Sequence, residues 1–452
     1  MKSKNYFFEE EALNKIHQFS SKIGTKQISI KGGETFEDNL NYVKSNENKD
    51  NNCNLKNKLI IENNFQNIFN TKNKSNISTN IRKKRNYGID LARIFSMFFL
   101  INHHIIYHCG PMFGTKILSF ENNLLLYLNS IFCSGVNIFG MISGYVGFYS
   151  YNYSKLIYLL LQTSFYNFGI AFYYKKAKPN IVKDLKYFLF PVFISSYWYF
   201  NAYFILYFFF PLINSGIKAL TKREMGIFNL TIFSLFSCFY QIRHYSQLLN
   251  KDFLNLINGF SYIWLLILYF YGSYFGRFRK DNHNFTKIFF IILCSGIISI
   301  TAFLRNMIII YRLRHNKNVI LMRVEYTSPS SVIISICFIC IFSNLDIKSK
   351  FIQKLISFLA PLTYGVYLIH NHSIIFHYVI KPYYFWLLKY SSFKLVIIII
   401  LESSKIFIIC SFIDYLRLVL FKLLRIMEIC RAISVFLNKI CNKILFIFEF
   451  LY

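Results

Sequence analysis

The chain alternates between long apolar blocks and short polar or basic connectors. The blocks run to about 17 to 25 residues, the length an α-helix needs to cross a hydrocarbon core roughly 30 Å thick. Ten are read, near 88–108, 124–148, 154–174, 197–217, 226–242, 260–276, 285–304, 330–344, 354–380 and 395–421. A continuous apolar run of that length has to satisfy its own backbone in lipid, so each predicts a helix. The expected fold class is all-α, a polytopic transmembrane helix bundle with about ten spans.

An even number of spans returns the C-terminus to the side of the N-terminus. With the N-terminus inside, about 20 Lys and Arg fall near inner ends, against about 16 near outer ends. The inner set includes Arg82, Lys83, Lys84 and Arg85. Two basic loops, 175–186 and 305–323, then fall outside. Either a span is displaced, or those loops are basic because they bind something anionic.

The flanks read differently. Residues 1–80 are rich in Asn, Lys and Glu, hold no long apolar run, and include the tract Asn46-Glu47-Asn48-Lys49-Asp50. So little apolar surface cannot offset the entropy of ordering, and a disordered cytosolic tail is expected. It carries no signal-peptide pattern, so insertion is expected to depend on the first span. The transmembrane domain is placed at 81–425. Residues 426–452 alternate basic and apolar, which suggests an interfacial amphipathic tail rather than an eleventh span. That tail is too short for an appended soluble catalytic domain.

Composition agrees with the membrane. Hydrophobic residues make up 54% and charged residues only 16%, below what a soluble chain of this size carries. The formal charge of +30 suggests nucleic acid at first sight. The basic residues cluster between apolar blocks and in the tails, however, as anchors at anionic lipid do. No basic stripe with a reading motif exists, so nucleic acid is not an expected partner. Cys337 and Cys340 have the spacing of a metal or redox pair but sit in an apolar run without a second ligand pair. Buried thiols are expected there, and no metal site.

The first span holds the candidate chemistry. Arg93 and His104 are eleven residues apart, close to three whole turns, so both point the same way roughly 16 Å apart. A cation and an imidazole on one intramembrane stripe are expensive to keep and mark a site. Asp90 lies three residues before Arg93, within pairing reach. His103 is roughly 80° off the stripe and faces another helix or lipid headgroups. His108 lies one turn beyond His104, where it orients that ring or lines an entrance. A purely structural His104, bonded to a neighbouring helix, stays open. His370 and His372 are either metal ligands with His104 or, in the favoured reading, helix-to-helix hydrogen-bond partners. Glu402 with Lys405, and Asp414 with Arg417, are i,i+3 pairs that neutralise one another. The aromatic cluster at 197–204, with Trp198 and Tyr203, is either an interfacial belt or a stacking surface for a sugar ring at the outer mouth.

The stretch Tyr87-Gly88-Ile89-Asp90-Leu91-Ala92-Arg93, running on to Asn102-His103-His104, resembles the opening helix of the acyltransferase-3 membrane proteins. Those proteins transfer acetyl or similar acyl groups to hydroxyls of extracytoplasmic sugars. Arginine, ten residues, then histidine is their most specific mark, and Arg93 and His104 match it. The likeness continues at Ile142-Ser143-Gly144-Tyr145 and at Tyr197-Trp198-Tyr199-Phe200-Asn201-Ala202-Tyr203. It returns at Gly259-Phe260-Ser261-Tyr262-Ile263-Trp264, at Pro361-Leu362-Thr363-Tyr364-Gly365, at Tyr367-Leu368-Ile369-His370, and at Asp414-Tyr415-Leu416-Arg417. These motifs stand in order over about 85–425. Asn201 departs from the threonine usual in the bacterial polysaccharide branch, no hydrolase-like C-terminal extension is seen, and the long polar N-terminus is atypical.

The resemblance implies an integral membrane O-acyltransferase. It would move acetyl, or a related acyl group, from cytosolic acetyl-CoA or another acyl-CoA to a hydroxyl of an extracytoplasmic glycan or glycolipid. Acyl-CoA is a donor substrate, and no permanently bound cofactor is expected. His104 would be the general base and Arg93 would hold the anionic donor or pair with Asp90. A covalent acyl-histidine is the less favoured variant. Asp90, His108, Trp198, Tyr203 and His370 are the candidate substrate-binding residues. Family usage points to a bacterial inner membrane with both termini cytoplasmic, while the long N-terminus leans away from it. The competing class is a glycan or small-molecule transporter without acyl transfer. Transporters often show related halves, and no internal repeat is found here.

Overall fold

The computed structural model describes residues 85–148, 151–182, 184–188, 190–193, 197–245, 254–278, 284–316, 325–390 and 392–451. The polar N-terminal segment, 1–80, lies outside the described residues. From Arg85 onward the chain forms one compact unit.

The first span opens where the sequence places it. Asn86 caps α1 (Tyr87–His103), its side-chain oxygen accepting from the amides of Gly88 and Ile89 at 3.0 and 3.4 Å. At His104 the helix widens into a π-turn, His104–His108, in which the Cys109 amide donates to the His104 carbonyl at 3.2 Å. After a one-turn helix follow α2 (Phe120–Phe132) and α3 (Ser134–Gly147), a single span bent at Cys133. Next come α4 (Tyr153–Ala177) and α5 (Trp198–Ala219), then α6 (Lys222–Phe233), which continues through a π-turn to Tyr245. The bundle continues with α7 (Tyr262–Phe278), α8 (Asn284–Asn316) and α9 (Pro329–Asn344). It closes with α10 (Lys350–Leu359), α11 (Thr363–His370), α12 (Ser392–Leu423) and α13 (Ile426–Leu451).

The ten expected spans fall on helical segments, and among the described residues eight helical segments are long and apolar enough to cross a membrane. The other two, α7 and α9, are 17 and 16 residues long, about 25 Å of helix each. They are the buried middle of the bundle: α7 packs most extensively on α3, and α9 on α8 and α3. Two boundaries differ from the sequence reading. The block at 354–380 is not one helix. It stops at His370, passes a break at Asn371, and restarts in short turns capped by His372, whose Nδ1 accepts from the Ile374 amide. The basic loop expected from 305 is also shorter, because α8 runs on to Asn316. Arg305 is therefore inside a span, 9% exposed, donating to the hydroxyls of Ser328, Ser330 and Ser331 at 2.7–3.2 Å.

Inside-out burial fits lipid as solvent. Ile292, Ile300 and Phe303 on α8, and Leu401, Ile408 and Phe412 on α12, face outward, while the polar side chains turn in. Lipid gives no hydrophobic reason for such helices to associate, so close van der Waals approach has to hold them. The α3–α7 seam shows how. A Cβ on Gly144 would overlap the Tyr269 carbonyl, one on Gly272 the Met141 carbonyl, and one on Gly276 the Tyr145 carbonyl. Arg277, next in chain, donates to the carbonyls of Ile217, Lys218 and Leu220, closing the C-terminal end of α5.

The two expected ion pairs form. Asp414 accepts from Arg417 at 2.7–3.0 Å, and also from Tyr166 at 2.8 Å and Gln162 at 3.2 Å of α4. Lys405 meets Glu402 at 3.4 Å. Cys337 and Cys340 are buried, in a small apolar cluster with Cys294, Ile298 and Ile334. The C-terminal segment begins after a turn in which Arg425 takes a left-handed φ of 51°. Cys430 and Ser434 of α13 are buried, while Ile433, Phe436 and Leu437 are exposed.

Candidate functional site

Arg93 and His104 face two cavities that follow one another along α1. Arg93 opens onto a cavity of about 520 Å³ lined also by Ser143, Lys155, Tyr158, Tyr203, Pro361 and Tyr364. His104 lies on one of about 310 Å³, lined also by His108, Trp198, Phe260, Tyr326, Tyr367 and Asn371. Phe139 and Tyr199 line both. Their rings meet edge to face at 5.5 Å, and the Tyr199 hydroxyl lies 3.4 Å from Ser143 Oγ. The two rings thus border the arginine's cavity and the histidine's alike.

The arginine is held by its own helix. Arg93 Nη1 donates to Asp90 Oδ1 at 3.3 Å, and Arg85 Nε donates to Asp90 Oδ2 at 2.5 Å. Asp90 is not among the residues lining either cavity. Both of its carboxylate oxygens accept from guanidinium groups.

Four histidines gather at the other end. His103 points away from the cavity, its Nδ1 2.7 Å from Asn129 Oδ1 of α2, as expected of a residue facing another helix. The His104 ring lies 5.3 Å from that of His108 and 5.3 Å from that of His370, centroid to centroid. His108 is exposed to the cavity. The interhelical hydrogen bond expected of His370 does not form: its Nδ1 lies 2.7 Å from the Val366 carbonyl of its own helix. His372 does bridge helices, its Nε2 lying 3.3 Å from the Asn167 carbonyl of α4. Among the described residues, no three His, Cys, Asp or Glu are grouped to hold a metal ion.

The aromatic pair chosen from sequence is divided. Trp198 borders the His104 cavity and Tyr203 the Arg93 cavity. Five helical residues separate them by roughly 7.5 Å and 140° of rotation, so one surface cannot hold both. Around Trp198 the His104 cavity has an aromatic wall: its ring stacks on Tyr326 at 6.2 Å and 22°, and meets Phe260 at 4.9 Å.

Several wall residues carried no sequence signal. Tyr326 arrives from the turn before α9, held through its carbonyl by Asn137 Nδ2 at 2.8 Å, while Asn137 Oδ1 accepts from Trp264 Nε1 at 3.1 Å. Gly259, at φ 102°, turns the chain beside Tyr326, where a Cβ would come within 2.6 Å of the Tyr326 Cβ and 3.2 Å of its ring. Only glycine meets both demands easily. Tyr199 and Tyr367 lay within motifs, yet nothing in their spacing marked them as cavity-facing, and Asn371 lay just past one. Phe139 and Tyr326 could have been found only from the packing.

The arrangement offers a fixed cation in one cavity, an imidazole in the next, an aromatic wall beside the imidazole, and two rings between. No curated protein and no solved structure matches the chain. Residues 86–413 match the acyltransferase-3 family model, described as an acyltransferase domain; the chain belongs to that family and is an integral membrane acyltransferase.

Proposed function

We propose that the protein transfers acetyl, or a related acyl group, from cytosolic acyl-CoA to a hydroxyl of an extracytoplasmic glycan or glycolipid. The observation that carries this reading is the pair of adjoining cavities, one at Arg93 and one at His104. With the N-terminus in the cytosol, the Arg93 cavity is on the cytosolic side and the His104 cavity towards the outer leaflet. An acyl-CoA would present its anionic portion to Arg93 and its thin arm towards Phe139 and Tyr199. The acceptor would lie in the His104 cavity, its sugar ring against Trp198 and Tyr326.

In the transfer, the acceptor oxygen bonds to the thioester carbonyl carbon and the carbon–sulfur bond breaks. The hydroxyl proton passes to the His104 imidazole and from there to the departing thiolate of CoA. Direct transfer needs no covalent enzyme intermediate.

The test is transfer of radiolabelled acetyl from acetyl-CoA in detergent-solubilised membranes, wild type beside His104→Gln. Label moving to membrane glycan with CoA release, from wild type alone, is the expected result. A well-folded His104→Gln protein that keeps full transfer would remove His104 from the reaction. Wild type that neither moves label nor releases CoA, across several acyl donors, would favour the transporter.

A further inference from the structure

The lining of the His104 cavity has one electrostatic character. It holds three imidazoles, those of His104, His108 and His377, while among the described residues that border either cavity there is no aspartate or glutamate. His370 is 1% exposed and is not part of that lining. The His104 and His108 rings stand 5.3 Å apart, centroid to centroid, and the Phe376 ring meets both, at 5.7 and 5.9 Å. His104 is half-buried, whereas His108 and His377 are exposed, which places those two nearer the opening.

The same end carries further positive charge. Lys381 is exposed, four residues after His377, and lies within electrostatic reach of Cys109, the residue that follows His108. The segment bearing Phe376 and His377 is also tied to the basic loop at the end of α4. Ile374 and Val182 are buried in one small cluster with Leu185 and Phe188 against them, and the Phe188 ring stacks on that of His372 at 6.0 Å. Lys176 and Lys178, where that loop begins, are exposed. With the N-terminus in the cytosol, the loop is on the side of the His104 cavity.

An imidazole N–H donates to an anionic oxygen whether the ring is neutral or protonated. Such a bond is about twice as strong as one to a neutral oxygen. A lining of one sign gathers ligands of the other and turns away its own. A cationic sugar would find no carboxylate in this cavity to pair with.

We propose that the acceptor is anionic: a glycan whose reacting sugar, or the sugar next to it, bears a carboxylate or phosphate that His108 and His377 hold near the opening while His104 meets the hydroxyl. Lys381 and the basic loop draw the charge in from the outer surface. This rests on the reading of the His104 cavity as the acceptor's, and names the class of sugar it takes.

Three phenyl glycosides that differ only at the sixth carbon test it: phenyl β-glucoside, its 6-phosphate, and phenyl β-glucuronide. Equilibrium binding of each to the purified full-length protein, without acyl-CoA, is independent of turnover. The glucuronide or the phosphate is expected to bind about tenfold tighter than the glucoside, the worth of one charge-assisted hydrogen bond. The tighter of the two tells carboxylate from phosphate. In His108→Gln and in His377→Gln the preference is expected to shrink to about twofold, as one donor is lost. Equal binding of all three, a preference that survives both substitutions, or no binding of any at millimolar concentration would overturn the proposal. In acetyl-CoA assays the same order of kcat/KM is expected. An anionic preference in binding with no label transferred would end the acyl-transfer reading and leave this one standing. Transfer to the glucoside in preference to both acids would do the reverse.

Discussion

At the scale of single residues, the charges inside the bundle differ in how far they are free to act. Arg417 and Asp414 are 3% and 0% exposed and pair with each other, Arg417 donating also to Tyr158 and Asp414 accepting also from Tyr166 and Gln162. Arg417→Met would strand the carboxylate, and a loss of about 3–5 kcal/mol is expected, read as a lower Tm in detergent. Asp414→Asn keeps an oxygen for Tyr166 and Gln162 but strands the guanidinium, so a loss of the same order is expected. Arg93 is different, because its side chain is 26% exposed and only one of its nitrogens is engaged by Asp90. Arg93→Lys loses the fork that reaches carboxylate and donor together. The expected outcome is a KM for acetyl-CoA raised about tenfold, equal to roughly one charge-assisted hydrogen bond, with kcat much less affected. Steady-state kinetics showing the reverse split would move Arg93 from donor binding to the chemical step. Arg93 and His104 were legible from sequence because a helical period alone sets their shared face. Tyr326 was not, since a turn held by Asn137 brings it to the cavity from 189 positions away.

At the scale of elements, apolar length found the spans and missed their interruptions. Ile374, Ile375 and Phe376 extend the apolar run past His370, so hydropathy reads straight through the break that the His372 cap imposes. Arg305 misled for the opposite reason. A lone arginine looks like the end of a span, whereas three serine hydroxyls from the start of α9 receive it inside one. The π-turn at His104 has no glycine or proline to announce it. The glycines of α3 and α7 let the two helices approach until backbone meets backbone. Gly272→Val would press two methyl groups and a Cβ into the Met141 carbonyl. Overpacking of this kind costs about 1–3 kcal/mol in a rigid core. The expected result is a lower Tm and poorer membrane accumulation, with Gly296→Val, at a position with open space, as the neutral comparison.

At the scale of the whole molecule, the proposed reaction would bring its two halves together at Phe139 and Tyr199, which line both cavities. If those rings exclude water from the thioester, then Tyr199→Ala should raise acetyl-CoA hydrolysis several-fold in the absence of acceptor. Acetyl transfer should fall in the same preparations, as measured by CoA release against label in glycan. Unchanged hydrolysis would show that another element keeps water out. The same two rings bear on the energy economy of the membrane. A continuous file of water past four histidines would conduct protons and collapse the gradient that the cell maintains across the bilayer. If the two rings keep water from running through, an acyl group could change sides without opening a conductance. Proteoliposomes bearing the wild-type protein are accordingly expected to hold an imposed pH gradient as long as protein-free vesicles do, even during turnover.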